Sequence, residues 1–148
     1  MAEFEAEVKA QDIIRELKAD RLFTDENLKT ILSAGADTVL ASVKSAYVAA
    51  GHNRRTGETF RHIVRPNTVK RDKQDIPYMV VTLRGKDKRQ QPYNVKGFVL
   101  NYGRKAHRTW KRRGGAIKAD YYWTQAVKAA RDASNEAMRK EALKILNK

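Results

Sequence analysis

From Leu28 to Ala50 the apolar residues recur at steps of three and four: Leu28, Ile31, Leu32, Val39, Val43, Tyr47 and Ala50. Steps of that size stack side chains on one face of an α-helix. Thr24-Asp25-Glu26 reads as the start of this helix. Thr24 is placed to cap it, and the two acids sit at the positive end of the helix dipole. Gly51 reads as its stop. An apolar face this long must be buried against a sheet or a second long helix.

The rest of the chain supplies both. Ile76 to Leu83 is a run rich in β-formers and reads as a strand. Thr59 to Val64 alternates imperfectly, ends before Pro66 and reads as a second strand. The charged link around Lys70-Arg71-Asp72-Lys73 reads as a hairpin-type loop or a longer excursion, and Arg84 to Arg89 as a turn with a basic tip. Val95, Phe98, Val99 and Tyr102 fit two turns of helix ended by Gly103, with a short strand as the alternative. Arg104 to Lys118 is basic, broken by glycine, and reads as an exposed loop or curled hairpin. A long C-terminal helix follows, with Asp120 as N-cap and a stripe of Trp123, Val127, Ala130, Ala137, Met138 and Ile145. Upstream, Val8, Ile13, Ile14 and Leu17 form a looser stripe, read as a helical arm over residues 1–23. The order of helices, strands, then helix predicts an α+β fold. A small antiparallel sheet packs against a long helix in the N-terminal half and a long C-terminal helix. At 148 residues the chain reads as one domain, an arm over 1–23 and a core over 24–148.

Composition narrows the function classes. The chain has no cysteine, so disulfides and thiolate zinc sites are excluded. No apolar run approaches the roughly 18 residues of a membrane span. The N-terminal MAEFEAEVKAQD has no apolar core of a signal peptide. These readings predict a cytoplasmic chain with no membrane partner. The net charge of +14 is unevenly placed: residues 52–118 hold nineteen Lys/Arg and only Glu58, Asp72, Asp75 and Asp87. That concentration predicts contact with a polyanion or an acidic protein surface.

Catalytic chemistry finds little material. His52, His62 and His107 stand far apart, without a ligand partner at i+3 or i+4. They read as solvated or stacking rings, and no metal or cofactor is expected. A metal-dependent nuclease would suit the basic surface but needs clustered carboxylates. Asp72 and Asp87 fall in loops beside lysines, where acids form turns or balance charge. No phosphate-binding glycine loop and no nucleophile elbow is present. The chain therefore reads as a non-enzyme.

Two basic stretches remain. Tyr102, His107 and Trp110 lie among Arg104, Lys105, Arg108, Lys111, Arg112 and Arg113, a mixture that can hold single strands by stacking and phosphate contact. The preferred reading packs Trp110 inward and leaves the cations in water. In Gly51-His52-Asn53-Arg54-Arg55-Thr56-Gly57, a phosphate grip would need a helix N-terminus. This stretch follows a C-terminus, where the dipole has the wrong sign for an anion. It reads as a helix-to-strand corner, with Gly57 free to take φ > 0. The cations expected to face DNA or a partner are Arg54, Arg55, Lys70, Arg71, Lys86, Lys88, Arg89, Arg104, Lys105, Arg108, Lys111, Arg112 and Arg113.

Three stretches carry a resemblance. A long helix leads into Thr56-Gly57; Gly97-Phe98-Val99-Leu100-Asn101-Tyr102-Gly103 follows; Tyr121-Tyr122-Trp123-Thr124-Gln125-Ala126 opens the last helix. Over about Leu28 to Ala130 the chain resembles the head–tail joining proteins of tailed bacteriophages, also called tail-completion, neck or minor tail proteins. Members show Thr-Gly after the first long helix, a Phe-Val-Glu-Phe-Gly-Thr stretch and a Pro-Phe-Leu-x-Pro-Ala entry to the last helix. Asn101 stands where the family often has Glu, and Arg104 where it often has Thr. Tyr121 and Gln125 replace both prolines, and Thr59 and His62 stand where Leu and Ser are common. The resemblance implies a structural virion protein at the head–tail junction, made in the host cytoplasm. It would form a ring, taken as a hexamer, with DNA passing through it and neck and tail proteins beside it. Loops 70–75, 84–91 and 104–118 are the expected ring contacts. A stand-alone basic nucleic-acid-binding protein is the alternative.

Overall fold

A computed structural model describes residues 4–17, 24–52, 57–108 and 113–147. In chain order the elements are β1 (Glu5–Lys9), α1 (Gln11–Leu17), α2 (Asp25–Ala49), α3 (Glu58–Arg61), β2 (Ile63–Val64), β3 (Lys70–Arg71), β4 (Pro77–Leu83), α4 (Tyr93–Tyr102), β5 (His107–Arg108), β6 (Arg113–Gly114) and α5 (Tyr122–Leu146). The fold is α+β, with a small antiparallel sheet packed against two long helices.

The long helix α2 begins as its sequence dictates. The Thr24 hydroxyl accepts the amide of Asn27 at 3.3 Å, and Asp25 and Glu26 fill the first turn. Its face of Leu28, Ile31, Leu32, Ala36, Val39, Val43 and Tyr47 is buried. Gly51 ends it with φ of 78°. The other long helix, α5, buries Trp123, Ala126, Ala130, Ser134, Met138 and Ala142. Small side chains on that face let the two backbones come close. Ser134 donates to the carbonyl of Gly35 at 3.0 Å, and Ser42 to that of Ala126 at 3.0 Å.

Strand β4 is the axis of the sheet. One side of it pairs with β1, from Glu5 opposite Thr82 to Lys9 opposite Tyr78. The other side pairs with β2 near Leu83 and with β3 near Pro77. Met79, Val81 and Leu83 enter the core beside α2, alternating with residues on the opposite face. Of the two readings of the link around residues 70–77, the hairpin is the one observed, with β3 and β4 antiparallel. Asp72 accepts the amides of Gln74 and Ile76, both at 2.9 Å. Strands β5 and β6 pair antiparallel, His107 opposite Gly114 and Arg108 opposite Arg113, with Arg104 and Ile117 bridged at their base.

Two readings need correction. Residues 5–9 are a strand, not part of a helical arm. Phe4, Ala6, Val8 and Ala10 are buried with a period of two, while Glu7 and Lys9 face out. The two alanines supply the alternation, and a count of large apolar residues overlooks them. With Ile13 and Ile14 of α1, these residues belong to the main core, and Phe4 lies 4.6 Å from the Trp123 ring. Thr59 to Arg61 is not strand either. It belongs to the single turn α3, and only Ile63–Val64 pairs. Phe60 in that turn lies 6.4 Å from the Tyr47 ring and carries Lys44 over its face, so tertiary contact overrides a local β preference. Among the described residues no helix is long and apolar enough to cross a membrane.

Candidate functional site: a capped junction beneath an exposed aromatic stripe

Two of the stretches that carry the resemblance, Gly97–Gly103 and Tyr121–Ala126, meet where α4 reaches the start of α5; Thr56 of the third lies outside the described residues. Asn101, on the last turn of α4, is fully buried. Its Oδ1 accepts the amides of Trp123 at 2.9 Å and Thr124 at 3.2 Å. Its Nδ2 donates to Thr124 Oγ1 at 2.9 Å. These amides belong to the first turn of α5, where no intrahelical acceptor exists. A side chain from another helix therefore caps α5.

Asp120, read as the cap, takes a smaller share. Its Oδ1 accepts the Tyr122 amide at 3.0 Å, while Oδ2 accepts from His52 Nε2 at 2.6 Å. That second contact ties the end of α2 to the start of α5. The residue at the formal cap position is Tyr121, left-handed at φ 55°, whose amide donates to the Asn101 carbonyl at 3.0 Å. Tyr122 packs edge-on to Tyr47 and His52, and its hydroxyl donates to the Gly97 carbonyl at 3.4 Å. Burial, then the nearby Tyr47 and Asp120, push its phenol well above the usual range. Gly57 takes φ of 67°, as read, but leads into the helical turn α3 and not directly into a strand; it lines the same hollow as Val95, Val99 and Ile117. That hollow holds about 590 Å³.

Helix α4 is inverted relative to ordinary amphipathic logic. Its buried positions are Tyr93, Gly97 and Asn101. Its apolar stripe faces water, with Val95 38%, Phe98 44% and Tyr102 46% exposed, and Tyr121 beside it at 46%. On one flank a cleft of about 790 Å³ opens between α4, β1 and α5, floored by Phe4, Val8, Trp123 and Val127. The far side of β1 pairs with no described strand, so this cleft adjoins an open sheet edge.

The expected cations do not form one site. Lys70 and Lys86 share a shallow hollow on the sheet with Arg84, which the sequence reading had not singled out. Lys88 and Arg89 are exposed in the next turn. None of these four expected cations has a carboxylate partner among the described residues. Arg71 is engaged instead with Asp25 and Asp75. Arg104 lies on the other flank of α4, where its Nε donates to the Gly115 carbonyl at 3.3 Å, and Lys105 beside it is exposed. Arg108 and Arg113 pair by backbone across the hairpin. Arg54, Arg55, Lys111 and Arg112 lie outside the described residues, as does Trp110.

The carboxylates in this region serve the turns. Asp87 accepts the amides of Arg89 at 2.8 Å and Gln91 at 2.9 Å, and its Oδ2 lies 2.5 Å from Lys96 Nζ. The Lys96 contact, then the Gln91 amide, hold this carboxyl below the usual range. The Ile76 amide is the largest cause of the same shift at Asp72. His62 stacks on Tyr93 at 4.1 Å, a stacking ring as read. Among the described residues no three His, Asp or Glu side chains are grouped to hold a metal ion.

No protein-family model, curated protein or solved structure matches this chain.

Proposed function

We propose that the chain is a structural subunit of the head–tail connector or tail-completion type. Copies of it form a ring, taken as a hexamer, around a channel for DNA. It carries out no reaction and needs no cofactor. The observation that supports this reading most is the junction just described. The stretch from Gly97 to Gly103 and the entry to the last helix are apart in sequence, yet they bond to one another, and Gly57 lines the hollow beside them. Residues that resemble two of the family's motifs thus serve one structural purpose, fixing α4 to the start of α5.

The surface suits the role. The open edge of β1 and the cleft beside it, lined by both apolar and charged residues, offer a heterologous contact, one that closes into a ring when each copy contacts the next through different faces. Lys70, Arg84 and Lys86 on the sheet, with Lys88 and Arg89 in the next turn, place charge without a helix to read base edges. That suits passage of DNA of any sequence. The remaining partners would be neck and tail proteins, and the place of action the virion.

Gold labelling of intact tailed particles tests this reading. Antibody against the chain should mark the junction of head and tail, and the chain should copurify with particles. Particles that lack the chain altogether would overturn the proposal.

A further inference from the structure

Strand β1 is five residues long, and one side of it has no partner strand among the described residues. A strand edge of that kind is a row of donors and acceptors that takes up another strand readily. Strands β5 and β6 stand apart from the main sheet and pair with each other. A two-stranded ribbon is marginal by itself and gains by joining a wider sheet. The ribbon and the edge lie on opposite flanks of α4. Phe98 and Tyr102 share the cleft beside β1. Arg104 and Ile117, bridged at the base of the ribbon, line the hollow on the other flank. A projecting ribbon and a receiving edge on different faces are the two halves of a head-to-tail contact between copies.

Charge favours the same match. The cleft wall formed by β1 and α1 carries Glu5, Glu7 and Asp12. The segment from Arg104 to Lys118 contains seven Lys/Arg and no Asp or Glu. Phe98 and Tyr102, each a little under half exposed, add ring faces against which a cation can rest. The cleft also holds cations. Lys9 on β1 is paired with Glu7 and Asp72, both at 3.6 Å. Lys128 and Arg131 stand on α5, the opposite wall. Acids and rings thus line the side of β1 and α4, and cations the side of α5. A basic ribbon is drawn to the first wall and repelled by the second, which seats it along the open strand.

We propose that the β5–β6 ribbon of one copy lies along β1 of the next, adding to its sheet as a further strand beside the cleft. Backbone bonds to the edge of β1 supply the affinity, and Glu5, Glu7 and Asp12 facing the basic segment fix which faces meet. The proposal rests on the ring reading and gives its subunit contact two named faces, each copy offering the ribbon on one side and β1 on the other.

The chain has no cysteine, so introduced ones report a single contact. Glu7→Cys and Lys105→Cys change exposed residues of the full chain. Mixed and oxidised, the two variants should form disulfide-linked dimers that neither forms alone. Arg108→Cys, on β5 itself, is tested against Glu7→Cys in the same way and serves where Lys105→Cys does not fold by circular dichroism. Native mass spectrometry of the same samples records whether rings are present. In a second arm, Glu7→Lys should weaken self-association by about ten-fold, and adding Lys105→Glu to it should restore the association. Rings that give no cross-link at either position would overturn the proposal and leave the ring reading standing. So would a charge reversal at Glu7 without effect on association. Glu7→Cys chains that link to one another would show β1 pairing with β1 and would overturn it as well. A chain that stays monomeric would overturn both readings.

Discussion

Replacing Asn101 with Ala should lower the melting temperature of the protein by about 10 °C. One buried oxygen accepts two amides from the first turn of α5, and neither has another acceptor in the helix. Loss of an N-cap costs roughly 0.5–2 kcal/mol, and burial of the unpaired Trp123 amide raises the cost towards about 3 kcal/mol. A total of about 3 kcal/mol converts to the stated shift for a chain of this size. Thr124→Ala is the comparison. It removes only the bond that Asn101 Nδ2 donates, and should cost about 1 kcal/mol. Asn101→Asp keeps the acceptor at a helix N-terminus, where negative charge is favoured, and should fall between the two. Thermal melts followed by circular dichroism decide the order. An alanine variant melting within about 2 °C of the parent would show that the cap does not hold α5 in place.

Gly103→Ala should be comparably damaging, through the backbone. Gly103 has φ of 76° and ψ of 178°, a region essentially reserved for glycine. A Cβ there would lie 2.6 Å from the Ile117 carbonyl oxygen and 2.7 Å from the Ala119 nitrogen. Both are main-chain atoms that cannot swing aside as a side chain can. Backbone strain of this kind costs about 1–3 kcal/mol, and the clash adds to it. The hairpin base should loosen first. The Arg104 and Ile117 amides, each bonded to the other's carbonyl at 2.9 Å, should lose protection from hydrogen exchange. Gly115→Ala serves as the control, since no atom lies within 4 Å of its added Cβ. If the two alanine variants melt and exchange alike, the tight turn after α4 has no structural role.

The parts of this fold that were legible in the sequence are those where local chemistry and tertiary environment agree. Thr24 caps α2, Gly51 and Gly103 end their helices, and Leu28 to Tyr47 face the core, all as spacing and capping rules predict. Asp72 and Asp87 form turns, as acids beside lysines in loops usually do. The reading fails where one rule hides another. In β1 the buried Ala6 and Val8 alternate with Glu5, Glu7 and Lys9, and with alanine as one of the inward residues the alternation is faint beside the isoleucines of α1. At Thr59 and Phe60, β-prone residues form a helical turn because Phe60 packs on α2.

The candidate site was half legible. The spacing of Val95, Phe98, Val99 and Tyr102 gave the helix, but periodicity does not say which face is buried. Here Gly97 and Asn101 turn inward, because the helix must approach the sheet closely and cap its neighbour. The signal was present in Asn101, a polar residue four positions after a glycine, on the face opposite the apolar stripe. Its partner amides lie more than twenty residues further on, and no local rule connects them. Lys86, Lys88, Arg89, Arg104 and Lys105 are exposed, yet the grouping of the basic residues depends on topology. The hairpin of β3 and β4 brings Lys70 to Lys86, while Arg71, one residue away, is consumed by Asp25 and Asp75.

The central claim is that copies of this chain close into a ring. Negative-stain microscopy and native mass spectrometry of the full chain, with and without duplex DNA, test it most directly. The expected result is a closed ring with a central opening and a mass that is a whole multiple of the subunit, six copies being the expected number. A chain that remains monomeric in both conditions, or associates only into open filaments, would contradict it.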